Sequence, residues 1–240
     1  MRTIGLLGGM SWESTAVYYR HLNEEVRRRF GGLASADVLV RSLDFESVVA
    51  LQKAGDWAGA ARLLGDAARG LERAGAACVL ICTNTMHLVA DEVQQAVSIP
   101  LMHIVDTTAA ALAVRGIRRP LLLATRYTME EAFYRERLAR RHGIEAVIPA
   151  CQADRDTVHA IIFEELCRGV VREASRRAYR EIIDAARADG IDGVILGCTE
   201  IGLLMDEEAC GLPTVDSTIA HADAALDFAL ARNEAARTAA

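Results

Sequence analysis

The sequence predicts an α/β fold: two pseudo-symmetric parallel-sheet α/β domains with the active site in the cleft between them. Three observations carry that expectation. Short uninterrupted Val/Ile/Leu runs alternate with longer amphipathic segments, the pattern of strands buried on both faces of a parallel sheet and covered by helices. The connections between them are short, as in βα units. The third is internal repetition. Val79-Leu80-Ile81-Cys82-Thr83-Asn84 returns as Ile195-Leu196-Gly197-Cys198-Thr199-Glu200, Ile4-Gly5-Leu6-Leu7-Gly8 as Pro120-Leu121-Leu122-Leu123-Ala124, and Ala74-Gly75 as Asp189-Gly190. Ile99-Pro100 with Val105-Asp106-Thr107-Thr108 returns as Leu212-Pro213 with Val215-Asp216-Ser217-Thr218. Four matches in one order, at offsets of 110 to 116 residues, argue for a duplicated half.

Residues 3–7 read as the first buried strand, with Gly8-Gly9-Met10-Ser11 as the turn out of it. Ser11 or Ser14 caps an amphipathic helix to about Phe30, which Gly31-Gly32 stops. A strand over 37–43 precedes helices over 46–53 and 57–74; then come a strand over 78–82, a helix to about Val97, a short strand after Pro100 and a helix over 106–114. The second half opens with a strand over 121–124. Thr128-x-x-Glu131 reads as a capping box that starts a helix to His142. A strand over 144–148, helices over 157–167 and 170–188, a strand over 193–197 and a helix over 217–231 complete the chain, with residues 233–240 as a frayed tail. The Val215-Asp216 return to the first half sets the expected division: residues 1–99 plus 214–240 as one lobe, 100–213 as the other.

Composition narrows the chemistry. The chain of 240 residues is 52% apolar with a net charge of −6 and no charged block, so neither a nucleic-acid footprint nor a membrane-binding helix is expected. The N-terminal apolar stretch is too short for a signal peptide, and the six cysteines show no framework spacing. A cytoplasmic protein with reduced thiols is expected. The histidines and cysteines form no metal-ligand pattern, and Lys53, the only lysine, sits in a polar segment unsuited to a Schiff base. No glycine-rich loop matches a phosphate or dinucleotide fingerprint. No metal, pyridoxal phosphate or nucleotide cofactor is therefore expected.

In open α/β sheets ligands bind outside the carboxyl ends of the strands. Those ends carry Gly9 and Met10, Thr83 to Thr85, Thr125 and Thr128, and Cys198 and Thr199. Hydroxyls and amides at helix starts suit a carboxylate or another small anion. Cys198 stands where the positive end of a following helix would favour a thiolate and lower its pKa, making it a candidate base or nucleophile.

These residues resemble the aspartate/glutamate racemase family, which includes glutamate and hydantoin racemases. They are most similar to its bacterial L-aspartate/glutamate-specific, broad-specificity amino-acid racemase branch. The resemblance rests on Gly8-Gly9-Met10-Ser11-Trp12-Glu13-Ser14-Thr15, Thr83-Asn84-Thr85-Met86-His87, Thr125-Arg126-Tyr127-Thr128, Ile162-Phe163-Glu164-Glu165-Leu166 and Gly197-Cys198-Thr199-Glu200. It spans essentially the whole chain. It implies cofactor-independent racemisation of a small acidic amino acid, L favoured as substrate, by two acid/base residues on opposite faces, in a protein that is often a homodimer. It also implies Thr83 and Cys198 as the catalytic pair, with Met10, Gln52, Asn84, Thr85, Thr125, Thr128, Glu165 and Thr199 around the substrate. A lysine that some aspartate racemases carry after the Ile-Phe-Glu region is replaced here by Cys167 and Arg168.

The first acid/base position keeps two candidates. The family motif Cys-Asn-Thr-x-His places Thr83 opposite Cys198, whereas the internal repeat places Cys82 there. Adjacent strand-end residues point to opposite sides, so one of the two faces the cleft, and the resemblance favours Thr83. Two other functions fit the same residues: a related-fold isomerase or decarboxylase using a cleft cysteine, and a non-catalytic carboxylate-binding module.

Overall fold

A computed structural model describes residues 1–237, with side chains through Ala231. The chain forms two compact units, Met1–Ile104 with the segment from His221 onward, and Val105–Ala220. These junctions fall a few residues beyond 99/100 and 213/214. In each case the short strand stays with the sheet it pairs to, and the chain changes unit at or inside the following helix.

The first unit holds a parallel sheet of β1 (Ile4–Gly8), β2 (Val38–Ser42), β3 (Cys78–Ile81) and β4 (Leu101–Met102), in the order β2-β1-β3-β4. Side-chain alternation along the central strands divides its core in two. Leu7, Val79 and Ile81 pack with Leu64, Ala68 and Leu71 of helix α3 (Trp57–Arg73) and with Val48 of α2 (Phe45–Ala54). Ile4, Leu6, Cys78, Leu80 and Cys82 pack on the other face against Tyr18, Leu22 and Val26 of α1 (Trp12–Phe30) and Ala222, Ala225 and Leu226 of α11 (Ser217–Arg237). The Ser11 oxygen accepts from the Ser14 N–H at 3.4 Å, capping α1 as the sequence suggested. Gly9 adopts φ +86°, and a Cβ there would lie 2.1 Å from the Leu43 carbonyl oxygen, so only glycine fits this exit from β1.

Beyond β3 the expected helix to Val97 is a 3-10 turn, Thr85–Val89, followed by α4 (Ala90–Gln95). Helix α5 (Ile104–Val114) then leads into the second unit.

That unit holds β5 (Pro120–Leu123), β6 (Gly193–Leu196) and β7 (Thr214–Asp216), parallel and in the order β5-β6-β7. The expected strand over 144–148 is reduced to a single parallel bridge from Val147 to Leu121. Glu145, polar, and Pro149, which lacks a backbone N–H, bound too short an apolar run to sustain a ladder. With Val147 counted at the β5 edge, the order repeats that of the first sheet.

The capping box is also corrected. Helix α6 (Arg126–Glu130) begins two residues before Thr128, Glu131 breaks it with ψ 141°, and α7 (Ala132–His142) restarts after it. Thr128 is fully buried, its hydroxyl 3.3 Å from that of Thr125, so it is committed to packing rather than to an N-cap. Helix α8 (Gln152–Ala160) starts before Thr157 and runs into a π-turn, Ile161–Glu165, and a 3-10 turn, Leu166–Arg168. Helices α9 (Glu173–Arg187) and α10 (Glu207–Cys210) flank β6 in sequence. Of the tail expected to fray, residues 233–237 continue α11, and 238–240 lie outside the described residues.

Candidate active site

In the first unit the end of β3 carries the polar set. Cys82 continues the parity of Cys78 and Leu80 into the α1/α11 core, is fully buried, and offers its thiol only to the Leu80 carbonyl at 3.8 Å. Burial pushes that thiol far above its usual pKa. Thr83, one residue on, is half-buried and its N–H bonds back to the Ile81 carbonyl at 2.8 Å. Asn84 and Thr85 follow, 5% and 7% exposed, at the start of the 3-10 turn. Gln52 of α2 donates to the Met86 sulfur at 3.0 Å, which ties that side chain to the same loop. Met10 differs from expectation: it is 5% exposed and its side chain belongs to the α2/α3 core cluster.

In the second unit Cys198 follows β6. Gly197 before it lies where a Cβ would press within 2.9 Å of the Ala124 Cβ, so glycine permits the strands to approach here. The Cys198 thiol donates to Glu200 Oε2 at 2.9 Å, and the Thr199 hydroxyl donates to the same oxygen at 2.6 Å. Glu200 is itself buried. No long helix follows; the chain forms only a 3-10 turn, Ile201–Leu203.

The lowered pKa expected of Cys198 is therefore corrected. Although part of the residue reaches solvent, burial of the thiol and then the negative Glu200 carboxylate push its pKa well above the usual value. At neutral pH it is a thiol hydrogen-bonded to a carboxylate. The buried Tyr179 hydroxyl is pushed up chiefly by burial, with Cys198, Cys167 and Glu165 as neighbours that add to the shift.

Glu165, at the end of the π-turn, accepts from the Ser175 hydroxyl at 2.5 Å and from Arg172 at 3.3 Å. Such turns widen a helix and re-aim the residues at their ends. Thr125, half-buried, stands at the end of β5 with its hydroxyl against that of Thr128. The structure thus gathers Cys198, Thr199, Glu165 and the Thr125/Thr128 pair in the second unit, and Thr83, Asn84, Thr85 and Gln52 in the first.

The sequence did not single out two residues that contact these candidates. Glu200 carried a signal, a carboxylate two positions after a strand-end cysteine. Ser175, which anchors Glu165, carried none. Among the described residues no group of three or more His, Cys, Asp or Glu is arranged to hold a metal ion, and no helix is long and apolar enough to cross a membrane.

Comparisons with known proteins agree with this architecture. The Asp/Glu/hydantoin racemase family model matches residues 7–225. The broad specificity amino-acid racemase RacX of Bacillus subtilis (strain 168) is 24% identical over 95% of this chain and 98% of its own. A Yersinia pestis protein assigned to the Asp/Glu racemases is 50% identical over 96% of this chain and 100% of its own, with a TM-score of 0.90. An aspartate racemase homologue from Pyrococcus horikoshii OT3 is 35% identical, with 95% and 99% coverage and a TM-score of 0.85. With a thiol held on a carboxylate at one strand end, a hydroxyl at the matching end, and a match that spans both units, this chain belongs to the Asp/Glu/hydantoin racemase family.

Proposed function

We propose that the protein racemises a small acidic amino acid, aspartate or glutamate, without a cofactor, and that Cys198 and Thr83 act on opposite faces of Cα. The observation that carries this reading is the Cys198–Glu200 contact. An α-proton is only weakly acidic, so its removal needs a base created beside it. Glu200 takes the thiol proton of Cys198, the thiolate takes the α-proton, and the resulting carbanion receives a proton on its other face from the Thr83 hydroxyl or a water bound to it. Proton exchange with solvent then returns Glu200 to the carboxylate and Thr83 or its water to the neutral form.

Asn84 and Thr85 offer amide and hydroxyl donors to a substrate carboxylate, and Thr125 and Thr199 offer hydroxyls, with Thr128 holding Thr125. Such donors stabilise charge as it spreads from Cα. Glu165, oriented by Ser175 and Arg172, is the acceptor for the substrate ammonium. Gln52 and the Met10 backbone complete the set. Thr83 is far too weak an acid to be held as a resting alkoxide at neutral pH, so the two faces are unequal and the L enantiomer is the better proton donor to the enzyme.

Racemisation has an equilibrium constant of one, which forces kcat/KM to be equal in both directions. The inequality therefore shows in kcat and in α-proton exchange without inversion. The test incubates dialysed enzyme, free of pyridoxal phosphate and with chelator present, with a panel of L- and D-amino acids in D2O. Chiral chromatography and Cα deuterium content are followed. Inversion of aspartate or glutamate with faster exchange from the L form supports the reading. Decarboxylation, or binding with no exchange at all, would refute it.

A further inference from the structure

Three histidines of the first unit pack together in its interior. The ring of His87 lies 4.7 Å from that of His103 and 5.6 Å from that of His221, centroid to centroid. His221 is fully used: Nε2–H donates to the Met102 carbonyl at 2.8 Å, and Nδ1 accepts from the Tyr18 hydroxyl at 2.8 Å. His87 is used as completely. A carbonyl oxygen only accepts and a backbone N–H only donates, so the partners of His87 fix its tautomer. Nδ1–H donates to the Thr83 carbonyl at 2.8 Å, and bare Nε2 accepts from the Ile104 N–H at 3.1 Å.

Both partners matter. Ile104 opens α5, where the first N–H groups have no acceptor inside the helix; the His87 ring supplies one from outside. Thr83 has its N–H on the Ile81 carbonyl, so the histidine fixes the other end of the residue. The imidazole is a strut from the N-terminus of α5 to the peptide that carries the Thr83 side chain, and it is 3% exposed.

We propose that His87 is a positioning residue for Thr83, holding its carbonyl through the Nδ1–H tautomer and so setting where the Thr83 hydroxyl stands at the end of β3. This rests on the reading of Thr83 as the group that serves the D face. Misplacement of a catalytic group by about 1 Å can cost of the order of 10²-fold. Loss of the strut should therefore cost the Thr83 face far more than the Cys198 face.

The experiment compares His87→Asn, His87→Gln and Thr83→Ala by Cα deuterium exchange from D and from L substrate. Asn places its amide N–H near the position of Nδ1 and can still donate to the Thr83 carbonyl; Gln places its head group near Nε2 and cannot. The expected result is a D-to-L exchange ratio about tenfold or more below wild type in His87→Gln and restored to within about threefold in His87→Asn. Equal loss of both exchanges in His87→Gln, with Thr83→Ala selective for D, overturns the positioning role and leaves the proposed function standing. A Thr83→Ala enzyme with an unchanged ratio overturns both.

A second measurement uses the wild-type protein. Long-range 1H–15N correlations of His87 should show the proton on Nδ1, and a proton on Nε2 alone would overturn the proposal even if the variants failed to fold.

Discussion

At the scale of the residue, the decisive fact is that Cys198 is a protonated thiol with a carboxylate against it. The pKa of the thiol is raised, first by burial and then by Glu200, so the thiolate form grows as pH rises. Exchange from L substrate should accordingly climb through the alkaline range. In Glu200→Gln one cause of the raised pKa is gone, and the rising limb should move to lower pH. The relay is lost as well, so the neutral-pH rate should fall, by about 10²- to 10⁴-fold if Glu200 is the proton acceptor. A limb that stays in place, or an unchanged neutral rate, would remove Glu200 from the mechanism. Cys198→Ser should abolish exchange from both enantiomers. At the matching strand end the comparison is Cys82→Ser against Thr83→Ala: the first should keep activity at a modest stability cost, since it trades a buried thiol for a buried hydroxyl, and the second should lose D-face exchange. The reverse outcome would exchange their roles. The strand-end residue types were legible from sequence. The state of the Cys198 thiol was not, because it depends on burial and on the nearby Glu200 carboxylate, which packing rather than residue type decides.

At the scale of the element, strand ends and helix packing set these positions. Gly197→Ala would drive a Cβ to 2.9 Å from both the Ala124 Cβ and the Leu122 Cδ1. Overpacking of this kind typically costs about 1–3 kcal/mol, so the melting temperature should fall and Cys198 should move with the strand; a variant of wild-type stability would contradict the close approach. Helix α11 holds its own test. Burial, then the neighbouring His87, lower the His221 pKa from 6.5 to about 3. The unfolded chain takes up that proton below pH 6.5 while the folded protein refuses it until about pH 3. The stabilisation is thus complete above pH 6.5 and lost progressively on acidification. Its contribution to the slope approaches about 1.4 kcal/mol per pH unit. Denaturant titrations between pH 6 and 5, above most carboxylate titration, should show that slope, and His221→Gln should flatten it. The strands and long helices were legible because apolar runs and caps are local signals. The Thr128 capping box and the strand over 144–148 were misread because tertiary packing buried the first and left the second a single bridge.

At the scale of the whole molecule, the repeat visible in the sequence corresponds to a four-stranded and a three-stranded sheet whose orders match once the Val147 bridge is counted, with β3 and β6 in equivalent positions. What periodicity does not reveal is that equivalent strands end differently. The alternation of β3 carries Cys82 into the α1/α11 core, so the cysteine that matches Cys198 by sequence repeat is spent on packing, and the next residue, Thr83, takes the half-exposed place. In the proposed mechanism a duplicated frame thereby offers two unequal groups, a thiol held against a carboxylate and an alkanol, which is a far weaker acid. Thr83→Cys tests whether that inequality, rather than the surrounding donors, sets the proposed L preference. A thiol at position 83 has a reachable thiolate and is intrinsically more acidic than the hydroxyl it replaces. Exchange from D substrate should therefore rise toward the L rate, while the L rate, governed by Cys198 and Glu200, should change little. Inversion should speed up in both directions together, as an equilibrium constant of one requires. If D exchange stays at its wild-type level while the enzyme remains folded and L exchange is intact, the asymmetry lies in how the substrate is held and not in the chemistry of residue 83.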